Sequence, residues 1–184
     1  MLRVVKHSIA LALVLACSVS TLAYEADKDS VVLDVKGDGV KKIEANQTQI
    51  GFSSTRIFYT LGSQSAVVVI HLDNSSKKFP ASGKVYQFAK GVNAEALGKW
   101  VNNQHSDGLF PEVPEPVAAH TLPADSIKTV SSKRIGQAKG GFRDETYDTF
   151  SVEFEAVNTE VTKNQKLGAF KDSATVYMRA PAEK

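Results

Sequence analysis

Ala66-Val67-Val68-Val69-Ile70-His71-Leu72 decides how this chain is read, because its apolar side chains fall on both alternating faces of an extended segment. A strand facing water on one side shows alternation, so this run predicts a central strand covered on each side. Just before it, Ile57, Tyr59 and Leu61 alternate with Arg56, Phe58 and Thr60, and Gly62-Ser63 breaks the pattern. Two strands joined by a short Gly-Ser connection predict a hairpin. After the run, Asp73-Asn74-Ser75-Ser76 supplies short polar side chains that bond the local backbone in a turn. Lys84 to Ala89 resumes extended structure.

The same β grammar extends in both directions. Upstream, Val31, Leu33 and Val35 alternate with Val32, Asp34 and Lys36, and Gly37-Asp38-Gly39 turns the chain. Downstream, Ile127 to Gly136 predicts one or two short strands, and Lys139-Gly140-Gly141 a tight connection. Phe150, Val152, Phe154 and Ala156 alternate with Ser151, Glu153 and Glu155, the pattern of a strand buried on one face. Lys163 to Gly168 is turn-like, and Ala174, Val176 and Met178 predict a last strand.

One segment, from about residue 93 to 123, interrupts this pattern. Asn93 is a helix N-cap candidate, Glu95 suits a first turn, and Ala94, Leu97, Trp100 and Val101 share a helical face, so a helix is expected to Gln104. Gly98 weakens that helix by about 1 kcal/mol relative to alanine, so it depends on docking Trp100. Ser106-Asp107-Gly108 is a turn, and Pro111, Pro114, Pro116 and Pro123 predict an extended surface connection able to bridge two sheets. Seven or eight short strands with one inserted helix favour an antiparallel β-sandwich, immunoglobulin-like or related, over a β-barrel.

The amino terminus gives an expected address. Arg3 and Lys6 precede the apolar run Ile9 to Ala16, and Thr21 and Ala23 place small residues before a cleavage point. Residues 1–23 therefore read as a secretory signal, too short in its apolar part for the roughly 20 residues of a membrane-spanning helix. Residues 24–30 read as a flexible lead-in and 31–184 as a single β-rich domain. Val14-Leu15-Ala16-Cys17 offers a second route, lipidation at Cys17, in which Leu15 departs from the usual small residue. The expected location is periplasmic or secreted, with a lipid-anchored envelope form as the alternative. In a eukaryotic secretory route Asn46 and Asn74 are glycosylation candidates, Asn74 the more accessible because it lies in a predicted turn.

Charge and composition narrow the function. Without Arg3 and Lys6 the chain carries 20 cationic and 20 acidic side chains, a balance that argues against nucleic-acid binding and against a polybasic membrane patch. The single cysteine lies in the signal, so the domain has no disulfide and relies on packing.

Catalytic signatures are sparse. The histidines beyond the signal, His71, His105 and His120, form no close pair and have no thiolate to join them, so neither metal nor cofactor is expected. No G-x-S-x-G elbow or phosphate-binding glycine loop occurs. Glu153 and Glu155 project from one strand face about 7 Å apart, but that face is expected to be solvated. His71 reads as a hydrogen-bonded histidine of its strand.

Function is therefore expected in the insert, where Trp100, His105, Asp107, Phe110 and His120 form the candidate binding surface. The expectation is an exported, non-catalytic binding or structural protein whose partner is a protein or envelope component. The alternative is a periplasmic or secreted enzyme using His105, Asp107 and His120 as an acid–base site.

Overall fold

The computed structural model describes residues 30–46, 54–105, 112–140 and 145–180. The expected signal with Cys17, and most of the lead-in, lie outside these residues. The strands are β1 (Val31–Leu33), β2 (Lys41–Asn46), β3 (Ser54–Leu61), β4 (Ala66–Asp73), β5 (Ala81–Gln87) and β6 (Ala118–Thr121), with helix α1 (Ala94–His105) between β5 and β6. There follow β7 (Ile127–Gly140), β8 (Glu145–Ala156), β9 (Thr159–Thr162), β10 (Gln165–Leu167) and β11 (Phe170–Arg179).

The strands form a β-sandwich, with no closed barrel among the described residues. One sheet has five strands in the order β2-β3-β4-β5-β6, all antiparallel. A three-stranded sheet, β11-β8-β7, packs against it, and a small mixed sheet, β1-β10-β9, has β1 parallel to β10. Neighbours in the five-stranded sheet are consecutive in the chain, a meander rather than the alternation between sheets of an immunoglobulin domain. The chain passes from the five-stranded sheet to β7 through residues 122–126, so only the end of the proline-rich connection expected from Phe110 to Pro123 bridges the sheets, and Ala118–Thr121 within it form β6.

The main core lies between the two larger sheets. Ile57, Tyr59, Val68, Ile70 and Val85 meet Phe150, Val152, Phe154, Ala174 and Val176, all buried. Phe79, in the β4–β5 loop, enters this core with its ring centroid 5.2 Å from that of Phe150, although its φ of 46° is unusual for a bulky residue. On β8, Phe150, Val152 and Phe154 point inward while Glu153 is exposed, as the alternation predicts. Glu153 accepts a hydrogen bond from Ser131 Oγ and Glu155 pairs with Lys171, both on the outer side.

A second cluster explains the double-sided apolarity of β4. Val67 and Val69 face away from the main core and join Phe58, Leu97, Trp100 and Val101, because α1 lies across that outer face. The hairpin of β3 and β4 forms as expected, Leu61 opposite Ala66. Its β3 partner is covered on both faces too, so the alternation of Ile57, Tyr59 and Leu61 does not mark a solvated side, and Thr60 is buried.

Several local expectations give way to tertiary context. Val31 is exposed while Leu33 and Val35 are buried, since β1 is a three-residue edge strand whose inward register begins at Leu33. Ala118–Thr121 falls between Pro116 and Pro123 and pairs with β5 as an edge strand, where only one ladder must be satisfied. Gln165–Leu167 is a strand rather than a turn, drawn into register by β9 and β1, with Leu167 fully buried. Ile127 to Gly140 is one strand, interrupted by register shifts at Val130 and Ile135. Lys139 and Gly140 extend it instead of closing it, and Gly141 lies outside the described residues.

Asn74 is the clearest reversal. It sits in the expected turn, but its side chain is buried, with Nδ2 donating to Thr55 Oγ1 and to the Tyr177 carbonyl, both at 3.1 Å. The amide nitrogen that a glycan requires is turned inward, because it ties the β4–β5 loop to β11.

Candidate functional site

Helix α1 borders a concavity on the outer face of the five-stranded sheet. Asn93 Oδ1 accepts the Ala96 N–H at 2.9 Å, the expected N-cap, and Leu97, Trp100 and Val101 are buried. The segment entering the helix is held by Ser65 at the β3–β4 turn. Its Oγ accepts the Gly91 N–H and donates to the Val92 carbonyl, while its own carbonyl accepts the Phe88 N–H. Gly62 allows the close approach, since a Cβ there would lie 2.8 Å from Ala94 Cβ. Trp100 is wedged among Phe58, Tyr86 and Phe88, with centroids at 6.5, 4.9 and 5.2 Å.

The helix covers only part of the sheet face. Beyond Trp100 the register aligns Arg56 with His71 and His71 with Ser82, and Lys84 stands opposite Val69 two pairs further along, the next on that face. Residues paired directly across strands share a face, so these side chains stand on the helix side. Together with Gln104 and the aromatic wall they enclose a groove of about 370 Å³. No carboxylate lines it, and neither Arg56 nor Lys84 forms an ion pair among the described residues.

Burial lowers the His71 pKa from its ordinary 6.5, and the positive Arg56 and Lys84 push the same way against the opposing charge of Asp73. The carboxylate of Asp73 is engaged with the Ser75 N–H at 2.8 Å, at the end of β4. The His71 imidazole has no hydrogen-bond partner among the described residues, in contrast to the hydrogen-bonded interior or edge histidine expected from its strand. A second hollow of about 280 Å³ along β9 and β10 is lined by Glu160, Lys163 and Lys166 among others, with both signs of charge.

The candidates named from sequence are scattered. Trp100 lines the groove. His105 closes α1, and Asn46 closes β2; the side chains of both, and all of Asp107 and Phe110, lie outside the described residues. His120 pairs with Val85, whose side chain enters the main core, so it stands on the opposite face of the sheet from Trp100 and His71. It is half-buried there and does not join the groove. Among the described residues, no three His, Cys, Asp or Glu side chains cluster as a metal site, and no helix is long and apolar enough to cross a membrane.

The residues that line the groove beside Trp100 were not legible as a set. Arg56, His71 and Lys84 are isolated polar positions in three strands, and only the pairing register brings them together. The available signal was parity: each lies on the face of its strand opposite to the main-core residues. What the arrangement defines is an open, basic, aromatic-walled groove on a helix-covered sandwich. Comparison with known protein families, with curated proteins and with solved structures finds no match for this chain.

Proposed function

We propose that this protein is an exported, non-catalytic binding module of the cell envelope or extracellular space, and that the groove beside α1 is its ligand site. The observation that carries the reading is the incomplete cover of the sheet by α1, which leaves Arg56, His71, Ser82 and Lys84 open next to a rigid aromatic wall. A volume of about 370 Å³ falls within the size range of small-molecule sites. Two packed sheets and a docked helix hold the groove without requiring the ligand to order it, which keeps the entropic cost of binding low. Export rests on the sequence of residues 1–23.

The test is native mass spectrometry of the protein after exposure to the small-molecule fraction of its own secreted or envelope extract. The wild-type protein should retain a bound compound, and Ser82→Trp, which sets a bulky ring on the exposed lining of the groove, should lose it while remaining folded. Retention by both proteins, or by neither, refutes the assignment of ligand binding to this groove.

A further inference from the structure

Resting on that reading, we infer that the groove takes a small oxyanion carried on an apolar body, its negative group set among Arg56, His71 and Lys84 and its apolar part against Phe58, Tyr86 and Trp100. The two halves of the groove differ in chemistry along the strand direction. Arg56, His71 and Ser82 form one cross-strand row; Phe58, Val69 and Lys84 form the next, nearer the helix. Moving one row along a strand face is about 7 Å, the length of a ring or short chain attached to a carboxylate or phosphate.

Arg56 and Lys84, two cations beside the imidazole of His71 with no carboxylate among the described lining residues, repel one another, and an anion removes that repulsion. The groove is open, so the charges remain hydrated until a ligand enters, and the protein does not have to fold around buried unpaired ions. Arg56 brings a planar fork suited to two oxygens, Lys84 a point charge, and Ser82 a hydroxyl. The hollow along β9 and β10 lacks this bias, since Glu160 stands beside Lys163 and Lys166.

Trp100 is the only tryptophan in the chain and lines the groove, so its fluorescence reports occupancy directly. The probes are benzoate, phenyl phosphate, inorganic phosphate and the uncharged benzyl alcohol. Benzoate or phenyl phosphate should perturb Trp100 in a saturable way, more tightly than inorganic phosphate and far more tightly than benzyl alcohol. Their relative affinities show whether the oxyanion is carboxylate or phosphate. The double variant Arg56→Gln, Lys84→Gln should weaken the better anion by about tenfold or more, the loss of a charge-assisted hydrogen bond. Arg56→Lys, which keeps the charge but not the fork, should fall between, and circular dichroism checks that each variant is folded.

Equal affinity for benzyl alcohol and benzoate, or anion binding unchanged in the double variant, overturns the oxyanion inference. If Ser82→Trp still abolishes binding of the extract compound in that case, the binding-module reading survives. If no probe binds and Ser82→Trp has no effect on the extract, both fall.

Discussion

The phenolic oxygen of Tyr59 on β3 donates a 2.8 Å hydrogen bond to Asp172 Oδ2 on β11, joining the two main sheets at the margin of their shared core. Lys36 and Lys42 complete the arrangement at 3.2 and 3.3 Å from the same carboxylate, and Glu44 accepts the Thr175 N–H at 3.1 Å nearby. An apolar interface alone permits two sheets to slide. This directional set of contacts fixes how they are offset.

Removing the Tyr59 hydroxyl leaves a partly buried carboxylate with one donor fewer. Tyr59→Phe should cost about 1.5–3 kcal/mol, the usual range for a hydrogen bond to a charged group, measured by urea unfolding. Asp172→Ala should cost at least as much, because it strands the Tyr59 hydroxyl. A loss in Tyr59→Phe within experimental error of zero would show that the bond does not join the sheets energetically.

Acid should weaken the same junction. Burial alone would raise the Asp172 pKa, but the Ser173 N–H, the Tyr59 hydroxyl and the two lysines together hold it below its ordinary 3.8. The folded protein thus binds this proton less readily than the unfolded chain. The stabilisation is present above pH 3.8 and is lost as pH falls through the folded-state value. Stability curves of Asp172→Asn against pH should be flatter than wild type below about pH 4, the range of an ordinary carboxylate.

His71 has the opposite chemistry and a different window. Facing it are Arg56 from β3, Lys84 from β5 and Asp73 on its own strand, while the groove residues of α1, Trp100 and Gln104, are uncharged. Burial and the two cations hold its pKa below 6.5, so the unfolded chain takes the proton first as pH falls. Stability should decline from pH 6.5 down to the folded-state value and then level off with respect to this group. His71→Gln should remove that part of the slope, read by thermal unfolding between pH 7 and 5.

Gly62→Ala tests the seating of the helix. The new Cβ would meet Ala94 Cβ at 2.8 Å, and neither the turn nor the helix start has a flexible side chain to yield. Overpacking of this kind typically costs about 1–3 kcal/mol. Because the displaced helix carries Trp100, the variant should also shift the tryptophan emission; destabilisation with unchanged emission would place the strain elsewhere.

Phe79→Ala should be the most severe of these substitutions. The side chain is fully buried against Phe150, and truncation of a core phenylalanine costs about 3–5 kcal/mol. Relief of the φ of 46° offsets little of this, since alanine also disfavours that conformation. Phe79→Leu, which retains much of the volume, should lose less in the same unfolding assay.

The fold was legible wherever pattern and burial coincide. Ala66 to Leu72 announced a strand covered on both sides, Phe150 to Ala156 a strand covered on one, and Asn93 with Leu97, Trp100 and Val101 a capped helix needing a surface. Each depends on side-chain periodicity within one element. Residues 118–121 and 165–167 did not announce themselves, because strands of three or four residues have too little period to read and form only where a neighbour supplies the ladder.

The candidate site divides along the same line. Sequence alone singled out Trp100 and the segment that carries it, since a tryptophan on an amphipathic helix must dock. Only the tertiary structure placed Arg56, His71 and Lys84 beside it and sent His120 to the other face, because register between strands, not spacing along the chain, decides which polar side chains share a surface.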